Sequence, residues 1–127
     1  MKDYPINLPN LHRHTPLQVF EQAKQHLLAQ NEKSWSSGKC YYRLNNQASA
    51  AVACAAGCFI SDQQYDAEVF DARCVPWFSL VIRGYVPSAH ADLINELQYL
   101  HDGSEVEAWP EHLDRLEQLV LAGEFGS

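Results

Sequence analysis

Apolar side chains recur every three or four positions in three stretches of the chain, which is the spacing of an amphipathic helix. The first stretch begins at Thr15-Pro16, where threonine can cap the free amide groups and proline suits the first helical turn. It predicts a helix over residues 16–31. The second begins at Pro87-Ser88 and ends at Asp102-Gly103, and the third begins at Trp109-Pro110. We therefore expect three main helices.

The region between the first two helices favours short strands. Lys39–Leu44 contains two tyrosines, and Asn45–Gln47 is a turn candidate that leads into Ala50–Ile60. The last of these segments is ambiguous, because its alanines favour helix whereas its valine, phenylalanine and isoleucine favour strand. A brief helix is predicted near residues 62–66, because the Ser61-x-x-Gln64 pattern resembles a capping box.

Together these elements predict an α+β fold, a small single domain in which a short β-hairpin packs on three main helices plus a short helix. Residues 1–14 are predicted as an extended lead-in, residues 15–122 as the domain, and residues 123–127 as a flexible tail or a cloning scar. The core should be built from apolar positions of every element: Leu17, Phe20, Leu27, Val52, Ile60, Leu93, Leu97, Leu113 and Leu116.

Length and composition limit the class of protein. With 127 residues and 46% hydrophobic side chains, the chain can form one core and is too apolar to be wholly disordered. No apolar run approaches the roughly 20 residues of a membrane-spanning helix. Residues 1–10 lack the basic and apolar regions of a signal peptide. We therefore expect a cytoplasmic protein with reduced cysteines, and no membrane partner.

Charge is distributed unevenly along the chain. Residues 1–60 carry six Lys/Arg and three acids, whereas residues 61–127 carry three Arg and thirteen acids, giving net charges of +3 and −10. Direct binding to nucleic acid needs a basic patch and is not expected. The acidic half favours a protein partner with a basic surface, a nucleic-acid-binding complex among the candidates. The alternative is that the charge serves solubility alone.

The acidic side chains expected to bind the partner belong to the last two helices and the link between them. Nine acids and a single arginine occupy residues 88–124, far from the mixed-sign surface usual for solvated helices. The predicted partner-binding residues are Asp92, Glu96, Glu105, Glu107 and Glu111. A homodimer is also left open.

The four cysteines do not have the spacing of a metal site. Only Cys54 and Cys58 are close enough to form one ligand pair, and neither Cys40 nor Cys74 has a partner nearby. We predict neither a metal nor another cofactor. A thiol at Cys54 could act as a nucleophile, with the His101-Asp102 pair as a candidate base. Since adjacent helix positions point in different directions, no catalytic residue is assigned, and the balance is against an enzyme.

Other residues of the middle region are interpreted structurally. Gly57 is expected to permit close approach of another backbone. Arg43 could pair with Asp62. His26 and His112 lie on or near polar helix faces and are expected to face solvent.

One segment of the middle region carries a resemblance. The stretch from Cys54 to Ile60, followed by Asp62 and Tyr65, is similar to a segment of small uncharacterised phage and prophage proteins. That segment reads approximately Cys-Ala-x-Gly-x-Leu-Ile-x-Asp-x-x-Tyr, and similarity extends over about residues 15–116. Ser61 departs from it, since proline is frequent at that position.

The resemblance implies a mobile-element origin, and with the small size and acidity it favours a phage-type accessory protein that binds and inhibits a host macromolecular complex. The most specific version of this hypothesis is counter-defence against a bacterial immune system, as by an anti-CRISPR-like inhibitor. The competing hypotheses are a cysteine-dependent hydrolase or transferase using Cys54, and a structural self-associating domain.

Overall fold

The structure is a computed structural model that describes residues 4–36, 39–44, 52–61, 63–71 and 76–126, with the backbone alone at 35, 36, 39, 40, 44 and 52. Its α-helices are α1 (Pro16–Gln30), α2 (Ala67–Phe70), α3 (Trp77–Ile82), α4 (Ala91–Gly103) and α5 (Trp109–Leu121). Shorter 3-10 helices span Leu8–Arg13, Ala56–Phe59 and Val106–Ala108. The three long helices start where the sequence places them, within a few residues.

The predicted α+β class is wrong, because the described part of the chain is mostly helical and contains no sheet that forms a layer. Extended pairing is confined to two antiparallel ladders of two residues each. In one ladder β1 (Trp35–Ser36) pairs with β2 (Lys39–Cys40), and in the other β3 (Arg43–Leu44) pairs with β4 (Val52–Ala53).

The physical reason lies in the alanine-rich second segment. After β4 the backbone turns into the 3-10 helix Ala56–Phe59, so the expected strand over residues 50–60 cannot continue. Residues 53–60 are all buried, and the helical turn pairs the N–H groups of Gly57 and Ile60 with the carbonyls of Cys54 and Gly57. The N–H groups of Ala53 and Ala56 donate to the side chains of Gln30 and Gln98. The predicted turn at residues 45–47 lies outside the described residues.

The capping signal at the start of α1 is confirmed. The Thr15 Oγ1 accepts a hydrogen bond from the backbone N–H of Gln18 at 3.2 Å, and the Gln18 Oε1 accepts one from the N–H of Thr15 at 2.9 Å. The helix ends at Asn31, which adopts the left-handed conformation with φ of 52°. Asparagine tolerates that region better than most residues and so closes the helix.

The core lies among α1, α4 and α5. Helix α1 packs most extensively against α5, α4 packs against both α3 and α5, and the buried segment 53–60 contacts α1 and α4. Of the predicted core residues, Leu17 is wrong: it is 37% exposed, because Pro16 and Val19 face inward at this end of α1. The side chain of Val52 lies outside the described residues, and the remaining seven are buried: Phe20, Leu27, Ile60, Leu93, Leu97, Leu113 and Leu116.

The segment before α1 is not extended throughout, as the sequence predicted. Residues 8–13 form a 3-10 helix that buries Leu11 completely. Gln22 of α1 holds the backbone of Ile6 in place. Its Oε1 accepts from the N–H of Ile6 at 2.9 Å, and its Nε2 donates to the Ile6 carbonyl at 2.7 Å. Because the buried Gln22 side chain pairs with the backbone as a partner strand would, the described part of the lead-in belongs to the packed domain.

Two short elements also differ from prediction. The helix expected near 62–66 instead begins at Ala67, because Asp66 accepts a hydrogen bond from the N–H of Glu68 and caps α2. The Ser61 N–H donates to the Gln64 Oε1, which closes a turn and not a helix. Beyond α5, the segment predicted as a flexible tail or scar forms a turn, and Phe125 packs against the core.

Candidate partner-binding surface

Helices α4 and α5 are amphipathic, and this decides where their carboxylates point. Helix α4 buries Leu93, Ile94, Leu97, Leu100 and His101, whereas α5 buries Trp109, Leu113, Leu116 and Val120. With those faces in the core, charged side chains share the outer surface. We call the exposed side of α4, α5 and the 3-10 turn between them the acidic face.

All five predicted binding residues are exposed, but they do not form one cluster. Glu105 and Glu107 flank the start of the 3-10 turn, and Glu111 follows in the first turn of α5. Glu96 lies one turn along α4 from Asp92, which is in the first turn of that helix. At 1.5 Å per residue, the length of α4 separates Asp92 from the Glu105 end by about 17 Å. Asp92 therefore belongs to a different part of the face.

A groove runs between the outer sides of α4 and α5, with a volume of about 270 Å³. Buried Leu100 and Leu116 form its floor, while Tyr99 and Leu119 are 68% and 45% exposed at its edges. Polar and charged side chains complete the lining: Glu96, Ser104, His112 and Arg115. The groove thus offers apolar surface to solvent beside the carboxylates.

Some of the acidic side chains have structural roles. Asp92 and Glu111 sit in the first turns of α4 and α5, where a negative charge stabilises the helix dipole. Glu111 also lies 3.7 Å from the Arg115 Nη2, in an exposed pair one turn apart. Glu117 accepts a hydrogen bond from the Lys24 Nζ at 2.9 Å, which raises the pKa of that lysine and ties α5 to α1. These contacts explain part of the acidic excess without any partner.

Three of the five predicted carboxylates have no such explanation. Within the residues that the structure describes, the side chains of Glu96, Glu105 and Glu107 make no hydrogen bond and no ion pair. All three are exposed, and Glu96 lines the groove. They are available to a basic group from outside.

Sequence reasoning missed Tyr99 and Leu119, the exposed apolar side chains of this groove. A signal was present: Tyr99 lies outside the α4 stripe of residues 93, 94, 97 and 100, and Leu119 precedes the inward-facing Val120. Reading the outer faces of both helices, and not only the core stripes, would have identified both residues.

The candidate thiol chemistry finds no geometric support. Cys54 is fully buried, and the buried Cys58 Sγ donates a hydrogen bond to the Ala55 carbonyl at 3.3 Å. Burial raises the pKa of the Cys58 thiol far above its ordinary value, which suppresses the reactive thiolate. The side chain of Cys40 and all of Cys74 lie outside the described residues.

The pair His101-Asp102 has the contact of a catalytic dyad but a structural role. The His101 Nδ1 lies 2.7 Å from the Asp102 Oδ1, so these neighbours do meet, contrary to the expectation from their helix positions. The Nε2 accepts a hydrogen bond from the backbone N–H of Ser34 at 3.1 Å. That bond requires an unprotonated Nε2 and uses the lone pair that a general base would need. His101 therefore holds the chain after α1 against α4.

His26 was predicted to face solvent, and this is wrong because the ring is only 2% exposed. Its Nε2 donates to the Ala53 carbonyl at 3.0 Å, and its Nδ1 accepts from the Tyr4 hydroxyl at 3.0 Å. Burial lowers the pKa of His26 from its ordinary value. His112 is partly exposed and lines the groove.

The close approach expected at Gly57 is confirmed. A Cβ at this position would lie 2.1 Å from the backbone oxygen of Tyr42. Arg43 donates from its Nη2 to the Ile60 carbonyl at 2.9 Å and stacks over the Tyr65 ring at 4.7 Å. Its predicted partner Asp62 lies outside the described residues. The segment similar to phage proteins is thus a packing unit here.

Among the described residues, no helix combines the length and the apolar character needed to cross a membrane. No group of three or more His, Cys, Asp and Glu side chains in that part of the chain could hold a metal ion.

Comparison with protein-family models finds no match, and comparisons with curated proteins and with solved structures find none. The resemblance to phage proteins therefore stays a prediction. The phage and anti-CRISPR interpretations receive no support from these comparisons, and neither is carried further.

Proposed function

We propose that the protein is a binding module that docks a basic surface of a partner protein on its acidic face. The observation that carries the proposal is the set of unpaired, exposed carboxylates Glu96, Glu105 and Glu107, of which Glu96 lines the same groove as the exposed Tyr99 and Leu119.

Charge and apolar surface would contribute differently to such docking. A field of one sign speeds the encounter with a basic partner and disfavours acidic ones, and salt screens it over about 8 Å at physiological ionic strength. Exposed apolar side chains that become buried supply affinity that salt affects little. The combination favours binding that weakens as salt rises but does not vanish.

The test is affinity capture from a bacterial lysate with three baits at two salt concentrations. The first bait is the wild type, and the second carries Glu105→Gln, Glu107→Gln and Glu111→Gln. The third is a matched control with the same charge change elsewhere, at Glu21, Glu32 and Glu68.

We expect a protein that the wild type and the control capture at low salt and that the first triple variant loses. Equal capture by all three baits, unaffected by salt, would assign the charge to solubility and refute the proposal. Circular dichroism of each bait shows whether the fold is intact.

Self-association is a second candidate, favoured by a separate observation on α3. Phe78 and Ile82 lie one turn apart on α3, Tyr85 follows three residues after the helix ends, and the three side chains are 41%, 85% and 53% exposed. An exposed apolar patch of this kind is common at interfaces between copies. Sedimentation equilibrium of the wild type and of Ile82→Glu tests it: a dimer that only the variant loses supports this candidate, whereas two monomeric proteins refute it.

A further inference from the structure

Resting on the proposed function, we infer that the groove between α4 and α5 binds one face of a basic amphipathic helix from the partner. Apolar side chains of that helix pack on Tyr99, Leu119 and the leucine floor, and its lysines or arginines face Glu96, Glu105 and Glu107. The partner is thereby specified by the apolar face of its helix as well as by its charge.

The spacing of the lining residues supports a helical occupant. On α5 the groove is lined at positions 112, 115, 116 and 119, and on α4 at positions 96, 99 and 100. Seven residues of helix span about 10 Å, or two turns. An amphipathic helix presents apolar side chains at i, i+3, i+4 and i+7 over the same length, which is the usual pattern of helix-in-groove recognition.

The exposure of the groove points to a large apolar contact and not to a small polar ligand. Leu100 and Leu116 already belong to the core, so the floor is rigid, while the edges at Tyr99 and Leu119 remain open to solvent. Tyrosine is enriched among residues that dominate binding energy, because it buries a large area at low conformational cost. Covering these two side chains would remove apolar surface from water on both sides of the groove.

Charge decides which amphipathic helix fits. Arg115 is the only basic side chain that lines the groove apart from His112, and Glu111 lies beside it. The carboxylates of Glu96, Glu105 and Glu107 have no partner within the described chain. An acidic helix would meet like charges, whereas a basic one would meet opposite charges.

A second copy of this chain is a poorer fit than a basic helix. In that copy, the segment around the exposed apolar side chains of α3 would have to supply the basic groups, and the described residues 76–90 contain Arg83 and His90 alone as such groups. The remainder of the described surface after α3 is acidic and would repel the acidic face of the first copy.

The probe is a fluorescein-labelled peptide of leucine and lysine, about 14 residues long, with leucines on one helical face. Its control is an isomer of the same composition in which the leucines are spread around the helix, so charge and total apolar area are equal. Fluorescence anisotropy measures the dissociation constant of each peptide at low and physiological salt.

We expect the wild type to bind the amphipathic peptide roughly tenfold or more tightly than the isomer. The double variant Tyr99→Ser with Leu119→Ser should reduce this preference to about twofold or less while keeping the salt dependence. The matched control, Phe78→Ser with Ile82→Ser, removes two exposed apolar side chains from α3 and should leave the preference unchanged.

The outcomes separate this inference from the proposed function. Equal, salt-dependent binding of both peptides would refute the groove while the acidic docking face stands. If neither peptide shows salt-dependent binding, the acidic docking face itself is contradicted. Failure of the lysate capture would contradict it as well. If the α3 control abolishes the preference, or if the Tyr99 and Leu119 variant instead removes self-association, the occupant is not a basic helix and the inference is wrong.

Discussion

Replacement of Gly57 by alanine tests the close approach of this residue to the backbone of Tyr42. The new Cβ would lie 2.1 Å from the carbonyl oxygen of Tyr42 and 3.0 Å from the Cβ of Ala53. Both neighbours are buried, and the oxygen belongs to the backbone, so no flexible side chain can move aside. The 3-10 helix and the backbone at Tyr42 must therefore separate by about 1 Å to restore a normal contact.

The cost follows from what this separation breaks. The N–H of Cys54 donates to the same Tyr42 oxygen at 3.3 Å, which is already long and would be lost. A buried unsatisfied amide costs about 1–3 kcal/mol, and overpacking a core adds about 1–3 kcal/mol. Against this, alanine lowers the entropy of the unfolded chain and stabilises by about 0.4–1 kcal/mol. The net loss in the free energy of unfolding should be about 2–4 kcal/mol.

Urea denaturation followed by tryptophan fluorescence measures this loss, since Trp77 and Trp109 are fully buried and report on unfolding. With a slope of about 2 kcal/mol per molar urea, the middle of the usual range, the midpoint should fall by roughly 1–2 M. The matched control is Gly103→Ala at the end of α4, where an added Cβ meets nothing within 4 Å. It should be neutral or slightly stabilising. A Gly57→Ala protein within about 0.5 kcal/mol of the wild type would show that the packing argument is wrong.

Three further outcomes are expected. Gln22→Ala should lower the free energy of unfolding by about 1–3 kcal/mol, because it leaves buried backbone groups of the N-terminal segment unpaired, whereas exposed Gln25→Ala should change it little; similar urea midpoints would contradict this. His26 has a lowered pKa in the folded protein, so the unfolded chain binds more protons, and stability should fall as pH drops below the ordinary histidine value of 6.5. The variant His26→Gln should flatten this pH dependence. Parallel curves of unfolding free energy against pH for the two proteins would count against the argument. Cys54 and Cys58 should resist iodoacetamide in the native protein and react in urea, as peptide mass mapping can show; rapid native labelling of either would reopen the thiol hypothesis.

Helix positions were predictable because their signals are local. The Thr15-Pro16 start places a cap and a proline where only a helix N-terminus accommodates both, and the start at Trp109-Pro110 has the proline alone. The stripes of α4 and α5 repeat at helical spacing over three turns, so the buried faces, and with them the outward carboxylates, follow directly. Asp92, Glu96 and Glu111 are exposed for this reason.

The failed strand prediction shows what local signals omit. Aromatic residues and a turn candidate favour a hairpin, yet the segment after β4 is buried on all sides and closes its hydrogen bonds as a 3-10 helix. Gln30 and His26 of α1 bind the backbone of Ala53, and Gln98 of α4 accepts from the N–H of Ala56 at 2.8 Å. Polar side chains of distant helices thereby replace the partner strand, and no local pattern reports such long-range contacts.

The sequence by itself therefore determined the amphipathic helices, their buried faces and the outward direction of the acidic side chains, because each depends on residues within a few positions of one another. Tertiary packing alone brings His101 to the backbone N–H of Ser34, whose hydrogen bond it accepts. Packing also places Glu96 and Arg115 in one groove and leaves Tyr99 and Leu119 exposed at its edges. Those properties depend on how α4 and α5 pack against each other and against α1. Packing is a property of many side chains at once, so a periodic pattern along the chain cannot contain it.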